Sequence, residues 1–422
     1  MYLTEIEVNL FELVSRLAHV TDLMSPVVGN HHMRVAYLAL RIAEELGLPP
    51  DERHDIVLAG TVHDIGCFSL QERKDLLDFE FMHTAQHEER GYQLLRTFAP
   101  FETVATMVRH HHTPWRGGEG AMRDGVQVPR GAHILNLADR VAVLLDTSQP
   151  VLGQTDGIRK RVERARDVLF VPEYADALLA LLPRDYVWLE AVSDWIDDLL
   201  RDAVGRKSAN VNLDRLAEFS RLVCRIIDFK SPFTACHSSG VAAVAEDFAG
   251  RIGFSEQECL LMEVAGNFHD LGKLAVPSEI LEKRDRLTEE EWQVMRTHVY
   301  YTHEVLRPLP ELRTIALWGT LHQERLNGSG YPFGRVEGQL PLGSRIMAIA
   351  DVFVALTEDR PYRAGMPKTA VMAELLAMAA RNELDPVLVG KVGANFEEMD
   401  EIRKRAQQRA RDRYSAFRTC LQ

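Results

Sequence analysis

Thiolate chemistry is nearly missing from this chain. Of 422 residues only five are cysteine (Cys67, Cys224, Cys236, Cys259 and Cys420), and none forms a CxxC pair, which excludes a disulfide framework and a thiolate zinc site. Long apolar runs are missing too. A stretch such as Ala177 to Leu182 is far short of a membrane span, and no basic segment followed by an apolar core opens the chain, so a cytosolic protein without a membrane partner is expected. Positive charge is in deficit: 49 Lys and Arg face 62 Asp and Glu, and a net charge of −13 argues against a nucleic-acid polymer as partner. The basic stretch from Arg403 to Arg413 reads as a solvated helix face. Alternating, strand-like runs are almost absent.

What is present is present twice. His31, His63-Asp64, His87, His111-His112 and Asp139 recur as His237, His269-Asp270, His298, His322 and Asp351. The offset is 206 residues from His31 to His237 and again from His63 to His269. It also carries Asp22 onto Asp228, Val35-Ala36 onto Val241-Ala242, and Ala59-Gly60 onto Ala265-Gly266. A repeat that includes the apolar surroundings is a duplicated domain. Two domains, 1–205 and 206–422, suit the length, with the polar stretch Gly205 to Asn212 as the boundary.

Apolar residues at three- and four-residue spacings predict amphipathic helices over Leu10–Leu23, Val35–Leu46 and Asp55–His63, and in the second copy over Leu216–Phe229, Val241–Ile252 and Glu256–His269. Ser255 with Glu258 predicts a capped helix start. Thr147–Gly157 reads as a loop followed by helical segments to Ala203, and Glu397–Gln422 as a charged terminal helix. The expected fold class is all-α, two tandem helical domains.

Any one of these histidines alone is more simply a hydrogen-bonded core or surface residue, and His19, His54, His83, His133 and His303 are left so. The repeated set is different: imidazole and carboxylate without thiolate are ligands for iron, manganese, nickel or zinc. Adjacent residues on a helix point about 100° apart, so a His-Asp pair suits an aspartate shared between two ions and a histidine on one of them. The remaining ligands come from separate helices, as in metal sites built inside bundles.

At these residues the sequence resembles the HD-GYP branch of the HD-domain metal-dependent phosphohydrolases. The matching text is His269-Asp270-Leu271-Gly272-Lys273, Leu287-Thr288-Glu289-Glu290-Glu291-Trp292, His298, Glu324-Arg325-Leu326-Asn327-Gly328-Ser329-Gly330-Tyr331-Pro332, Ala350-Asp351 and Asp359-Arg360-Pro361-Tyr362-Arg363. It covers roughly Leu216 to Phe396, while Leu10 to about Leu182 resembles the general HD pattern without the GYP motif. The resemblance implies an α-helical HD fold, two divalent ions per intact site (iron or manganese by preference) and hydrolysis of a cyclic dinucleotide such as cyclic di-GMP or cyclic GMP-AMP. Asp64, Asp270 and Lys273 are the candidate catalytic residues, Lys273 contacting the phosphate or the developing leaving-group charge; its plainer alternative is a helix-end cation. Gly330, Tyr331, Pro332 and Arg363 are the candidate substrate contacts, and the GYP loop could equally face a protein partner.

Each copy departs from the pattern. Gln323 stands where copy one has His112, and a glutamine oxygen is a weak ligand, so the second ion there is expected to be loosely held or absent. Thr302 stands where a glycine is usual. Cys67 stands where copy two has Lys273, as a core filler in the simplest reading. Two competing readings follow: a module that binds metal and nucleotide without hydrolysis, and a nucleotide phosphohydrolase working from the N-terminal copy.

Overall fold

A computed structural model describes residues 6–23, 29–69, 71–72, 75, 79, 85–205, 208–231, 235–359 and 364–421. Their helices fall into two compact units, chiefly Asn9–Asn210 and Val211–Cys420. The first unit runs α1 (Leu10–Asp22), α2 (His31–Glu45), α3 (Pro50–Val62), α4 (Ala85–Leu95), α5 (Glu102–His110), α6 (Arg130–Ala142), α7 (Thr155–Ala165), α8 (Pro172–Leu181), α9 (Asp185–Ala191) and α10 (Ile196–Leu200). The second runs α11 (Leu213–Phe229), α12 (His237–Ile252), α13 (Glu256–Phe268), α14 (Glu289–Leu306), α15 (Arg313–Thr320), α16 (Leu342–Thr357), α17 (Lys368–Ala380), α18 (Pro386–Ala394) and α19 (Phe396–Thr419), with single turns between. No described helix is long and apolar enough to cross a membrane.

The local chemistry sets these ends. Asn9 accepts from the Phe11 backbone N–H at 3.0 Å and Asn212 from that of Arg215 at 3.0 Å, so both copies start behind an asparagine cap. Ser255 and Glu258 form the expected capping box, and Thr288 with Glu291 forms a second at the head of α14. The Thr288–Glu291 text of the family resemblance is thus the start signal of the helix that carries His298. Gly47 (φ +65°) and Gly253 (φ +108°) end α2 and α12 in the left-handed region at equivalent turns.

In each unit the central contact is between the second and third helices of the copy. A Cβ at Gly60 would stand 2.8 Å from the Cα of Ala36, and one at Gly266 would stand 2.6 Å from the Cα of Ala242. That close approach explains why Ala-Gly recurs at the 206-residue offset: only hydrogen fits. Around it lie Tyr37, Phe11, Phe98 and Trp188 in the first unit, and Phe219, Phe248, Phe268 and Phe353 in the second, all buried.

Three expectations are adjusted. Helix α2 begins at His31, not Val35, which makes the first candidate ligand of each copy the first residue of its helix. Thr155 already starts α7 inside the expected loop. Arg403, read from sequence as part of a solvated face, is buried and donates to Asp400 and Gln407. One short hairpin, Met122–Arg123 with Val126–Gln127, interrupts the α-helical pattern; Asp124 and Gly125 supply its two positive-φ positions.

Candidate metal centres

Each copy converges its ligand types on one buried locus, reached from different helices. In the C-terminal unit His237 opens α12, His269 caps the end of α13 with Asp270 next, His298 lies within α14, His322 follows α15 and Asp351 lies on α16. His237 Nε2 is 3.2 Å from Asp351 Oδ1, His269 Nε2 is 3.1 Å from Asp270 Oδ2, and His298 Nε2 is 3.3 Å from Asp270 Oδ1. Asp270 therefore faces a different imidazole with each oxygen, as a shared carboxylate must. Donor atoms of His237, His269 and Asp351 lie within 4.8 Å of one another, as do those of His269, Asp270 and His322. In the N-terminal unit the same is true of His31, His63 and Asp64, and of Asp64, His87, His111 and His112.

The imidazoles are oriented from behind. Nδ1–H of His269 donates to Gly266 O at 2.7 Å, that of His298 to Met295 O at 2.6 Å, and that of His322 to Gly319 O at 2.7 Å. In copy one His63 does the same to Gly60 O at 2.8 Å and His111 to Val108 O at 2.6 Å. A carbonyl only accepts, so Nδ1 carries a proton and Nε2 faces the centre. The Nε2 atoms of His63, His112, His269 and His298 and Oδ1 of Asp64 are buried without a hydrogen-bond partner among the described residues. Buried polar atoms are ordinarily satisfied. Five orphaned donors of ligand type fit a divalent cation.

Electrostatics divides the imidazoles into two groups. Burial lowers His322 to about 3 and pulls His298 down as well, so both rings are neutral. Burial opposes the Asp270 charge, yet His269 and Lys273 hold its carboxyl well below the usual range. His237 is raised to about 10 despite its burial, because Glu358 and Asp351 flank it. Burial likewise works against His63, which Asp64 and Asp139 raise to about 9.

The two departures from the pattern have structural counterparts. Gln323, on the cavity lining, donates Nε2–H to Asp351 Oδ2 at 3.1 Å. In copy one the equivalent oxygen, Oδ2 of Asp139, accepts from Arg140 at 2.5 Å. Each centre thus has one aspartate oxygen occupied by the protein, by a neutral amide in one and a guanidinium in the other. Thr302 Oγ1 accepts from the Gly272 N–H at 2.9 Å and donates to His298 O at 2.9 Å, tying the His-Asp turn to α14. A Cβ at Gly272 would lie 2.0 Å from His298 O, and one at Gly66 2.1 Å from His87 O.

Lys273 lies 2.5 Å from Asp270 Oδ2, at the mouth of a cavity of about 550 Å³. His237, Asp270, His298 and Asp351 form its floor, with Lys283, Arg284, Arg286, Trp292 and Tyr331 on its walls. The Tyr331 ring stacks under the Arg296 guanidinium at 4.7 Å and meets the Trp292 edge at 6.1 Å. Gly330 and Pro332 do not line the cavity; a Cβ at Gly330 would lie 2.4 Å from Glu324 Cα, so this glycine permits the loop's close return. Arg363 lies outside the described residues.

Four residues without an assigned role in the sequence reading support the centre. Buried Glu324 accepts from the backbone N–H of Phe333 and of Arg335, each at 2.8 Å, and so holds the Gly-Tyr-Pro loop. Buried Lys230 donates to the carbonyls of Lys273, Leu274 and Val276, fixing the turn that presents Lys273. Glu358 lies 3.1 Å from His237 Nδ1 and accepts from Gln407 at 3.0 Å. A charged residue with no water around it is visible only in three dimensions; the one sequence signal was that Glu324 lies within the matching text. Glu324→Ala leaves two backbone N–H groups unpaired at a cost of about 1–3 kcal/mol. Amide exchange across residues 328–336 is expected to accelerate by about tenfold or more, with α11 to α13 unchanged; equal rates in the loop would show that Glu324 does not hold it.

Family models described as HD domain match residues 28–144 and 221–388. The 3'3'-cGAMP-specific phosphodiesterase 1 of Vibrio cholerae serotype O1 is 30% identical over 378 residues, covering 87% of this chain and 87% of that protein. The chain belongs to the HD-GYP family. The 3'3'-cGAMP-specific phosphodiesterase 3 of the same organism is 26% identical over 88% of this chain and 92% of its own length. The cyclic di-GMP phosphodiesterase response regulator RpfG of Xanthomonas campestris is 36% identical over 176 residues, 41% of this chain and 47% of that protein. A crystal structure of a cyclic GMP-AMP specific phosphodiesterase of V. cholerae (V-cGAP3) superposes with a TM-score of 0.65 at 23% identity, over 93% of this chain and 98% of that one. The tandem HD arrangement is therefore shared along nearly the whole length, not only in the HD-GYP half.

Proposed function

We propose that this protein is a metal-dependent phosphodiesterase that opens a cyclic dinucleotide, and that it does so at the C-terminal centre. The observation that carries the assignment is the cavity over that centre, where ligand residues, Lys273 and Tyr331 share one concave surface of nucleotide size. Relatives named for 3'3'-cGAMP and for cyclic di-GMP support a cyclic dinucleotide as the substrate class.

His237, His269, Asp270, His298, His322 and Asp351 would hold the divalent metal; iron or manganese suits the set, and nickel or zinc is compatible with it. Bound ions would supply charge neutralisation at the phosphodiester and acidify a water to serve as nucleophile. The chain's own residues do the rest. Lys273 sits beside Asp270 with its ammonium directed at the cavity, where it would meet a non-bridging phosphate oxygen or the departing 3'-oxygen. Arg284 and Arg286 bring positive charge to the wall beside Asp285, while Lys283 is paired with Glu291, and this side of the cavity would draw in a dianion despite the acidic chain. Tyr331 and Trp292 offer aromatic surface for a base. Tyr331 on the cavity wall favours the loop as a substrate contact over a protein-docking loop.

In the N-terminal centre Arg140 places a cation on the aspartate that a metal would need, and Cys67 stands in for the lysine. This favours a structural or weaker metal role for copy one. The test is direct: protein loaded anaerobically with iron or manganese is expected to convert cyclic di-GMP or 3'3'-cGAMP to linear product, read by chromatography. No cleavage of either would sink the assignment. Lys273→Met is expected to lower kcat by about 10²-fold with metal content unchanged, the loss typical of one electrostatic donor. An unaltered kcat would return Lys273 to a merely structural cation.

A further inference from the structure

A second cavity of about 450 Å³ lies in the C-terminal unit between α11, α12, α13 and α19, outside the centre just described. Its walls carry four arginines, Arg221, Arg225, Arg409 and Arg413, against two carboxylates, Glu246 and Glu263. Glu263 is already engaged by Arg221 through two bonds of 2.6 and 2.7 Å. Arg409 and Arg413, one helical turn apart on α19, have no carboxylate partner among the described residues. Guanidinium groups gathered in one concavity repel one another unless an anion is shared among them. Burial brings Arg225 down to about 10, and Arg413 and Arg221 add to that lowering.

The wall is wired to the metal centre at two points. Ser239, on the cavity wall, donates its hydroxyl to Asp228 at 3.0 Å, and Asp228 also accepts the Ser238 and Ser239 N–H groups at 3.1 and 3.2 Å. Those N–H groups belong to the first turn of α12, which His237 begins. On the other side, Gln407 lies two residues before Arg409 on α19 and donates to Glu358, which contacts His237 Nδ1.

We propose that this cavity is a second binding site, for a nucleotide bearing a terminal phosphomonoester, and that its occupancy is felt at His237. Phosphomonoester rather than diester follows from charge: a monoester carries about −1.5 to −2 and three acceptor oxygens, which matches several guanidiniums, while each diester of a cyclic dinucleotide carries a single charge. Ring opening by water creates one such group, because the broken P–O bond leaves a terminal phosphate on one end and a hydroxyl on the other. The site would thereby distinguish product from substrate. Its anion chemistry stands by itself; only the source of the ligand rests on the phosphodiesterase reading.

The test uses the full chain and three probes: inorganic pyrophosphate, 5'-GMP and a linear dinucleotide with a 5'-phosphate. With chelated protein, calorimetry is expected to show saturable binding of 5'-GMP that Arg409→Gln/Arg413→Gln weakens at least tenfold and Lys273→Met leaves unchanged. Both arginines are exposed, so thermal unfolding of the double variant should match the parent. Manganese affinity is expected to shift at least threefold on saturation with 5'-GMP in the parent and not in the double variant. Binding of the linear dinucleotide at least as tight as 5'-GMP identifies the product as the source; tighter 5'-GMP points to the mononucleotide pool. No saturable binding of any probe, binding indifferent to the arginine changes, or binding lost in Lys273→Met overturns the site. An unshifted manganese affinity overturns the coupling. Retained 5'-GMP binding in a protein that cleaves no cyclic dinucleotide would remove the catalytic reading and leave the anion site in place.

Discussion

Asp270→Asn is expected to lower turnover of a cyclic dinucleotide by about 10³-fold or more, while the equivalent Asp64→Asn leaves it within about threefold. Both aspartates are buried, both follow the histidine that ends a helix, and both face imidazoles, two at Asp270 and three at Asp64. Their surroundings differ in what a substrate needs. Asp270 is bonded to Lys273 on the floor of an open cavity; copy one carries Cys67 at the lysine's position. Asparagine keeps the shape of Asp270 and removes the charge that Lys273 and a bound divalent ion would rely on. A loss of about 4 kcal/mol in transition-state stabilisation, the scale of metal-assisted charge neutralisation, corresponds to 10³ in rate. Steady-state kinetics on both variants, with metal content and thermal unfolding measured alongside, checks the claim. The reverse pattern, Asp64→Asn dead and Asp270→Asn active, would move catalysis to the N-terminal centre.

The second large effect is thermal. Chelation is expected to lower the unfolding temperature by about 10 °C, and manganese or iron to restore it. Without a cation, Nε2 of His269 and of His298 is a buried lone pair with no partner, beside carboxylates held ionised. A ligand present at about 1,000 times its dissociation constant stabilises the folded state by about 4 kcal/mol. In a unit of this size each kcal/mol moves the midpoint by roughly 2–4 °C. Differential scanning fluorimetry with and without chelator reads the shift directly. A midpoint indifferent to chelator and to added metal would mean that the clusters do not hold ions tightly. Asp270→Asn should halve the shift or more.

Much of this architecture was legible from residue spacing. The repeat of Ala-Gly with His-Asp at one offset carried both the helix contact and the ligand position, because Gly60 and Gly266 are set by a backbone contact and His63 and His269 follow three residues later. Ser255 with Glu258 marked a helix start from chemistry that is entirely local. What spacing could not show was long-range. Glu358 reaches His237 across 121 residues, and Lys230 reaches the Lys273 turn across 43. Nothing local distinguishes those side chains from solvated ones. Arg403 was misplaced for the same reason: its neighbours Lys404 and Arg405 are exposed, and only the packing of α19 makes position 403 internal. Gln323 was recognised as a departure, but its bond to Asp351 depends on the relative placement of α15 and α16.

The backbone anchors behind the histidines bear on how fast an ion can be captured. Each Nδ1–carbonyl bond spans only three residues, at the end of a helix or in the turn after it for His269 and His322 and inside α14 for His298. The rings are consequently ordered as soon as their own helices form, and rotamer freedom has already been given up before an ion arrives. Preorganisation of this kind removes rearrangement from the loading step. Diffusion through the cavity and desolvation of the ion are left to set its rate, so an empty centre should fill in a single kinetic phase.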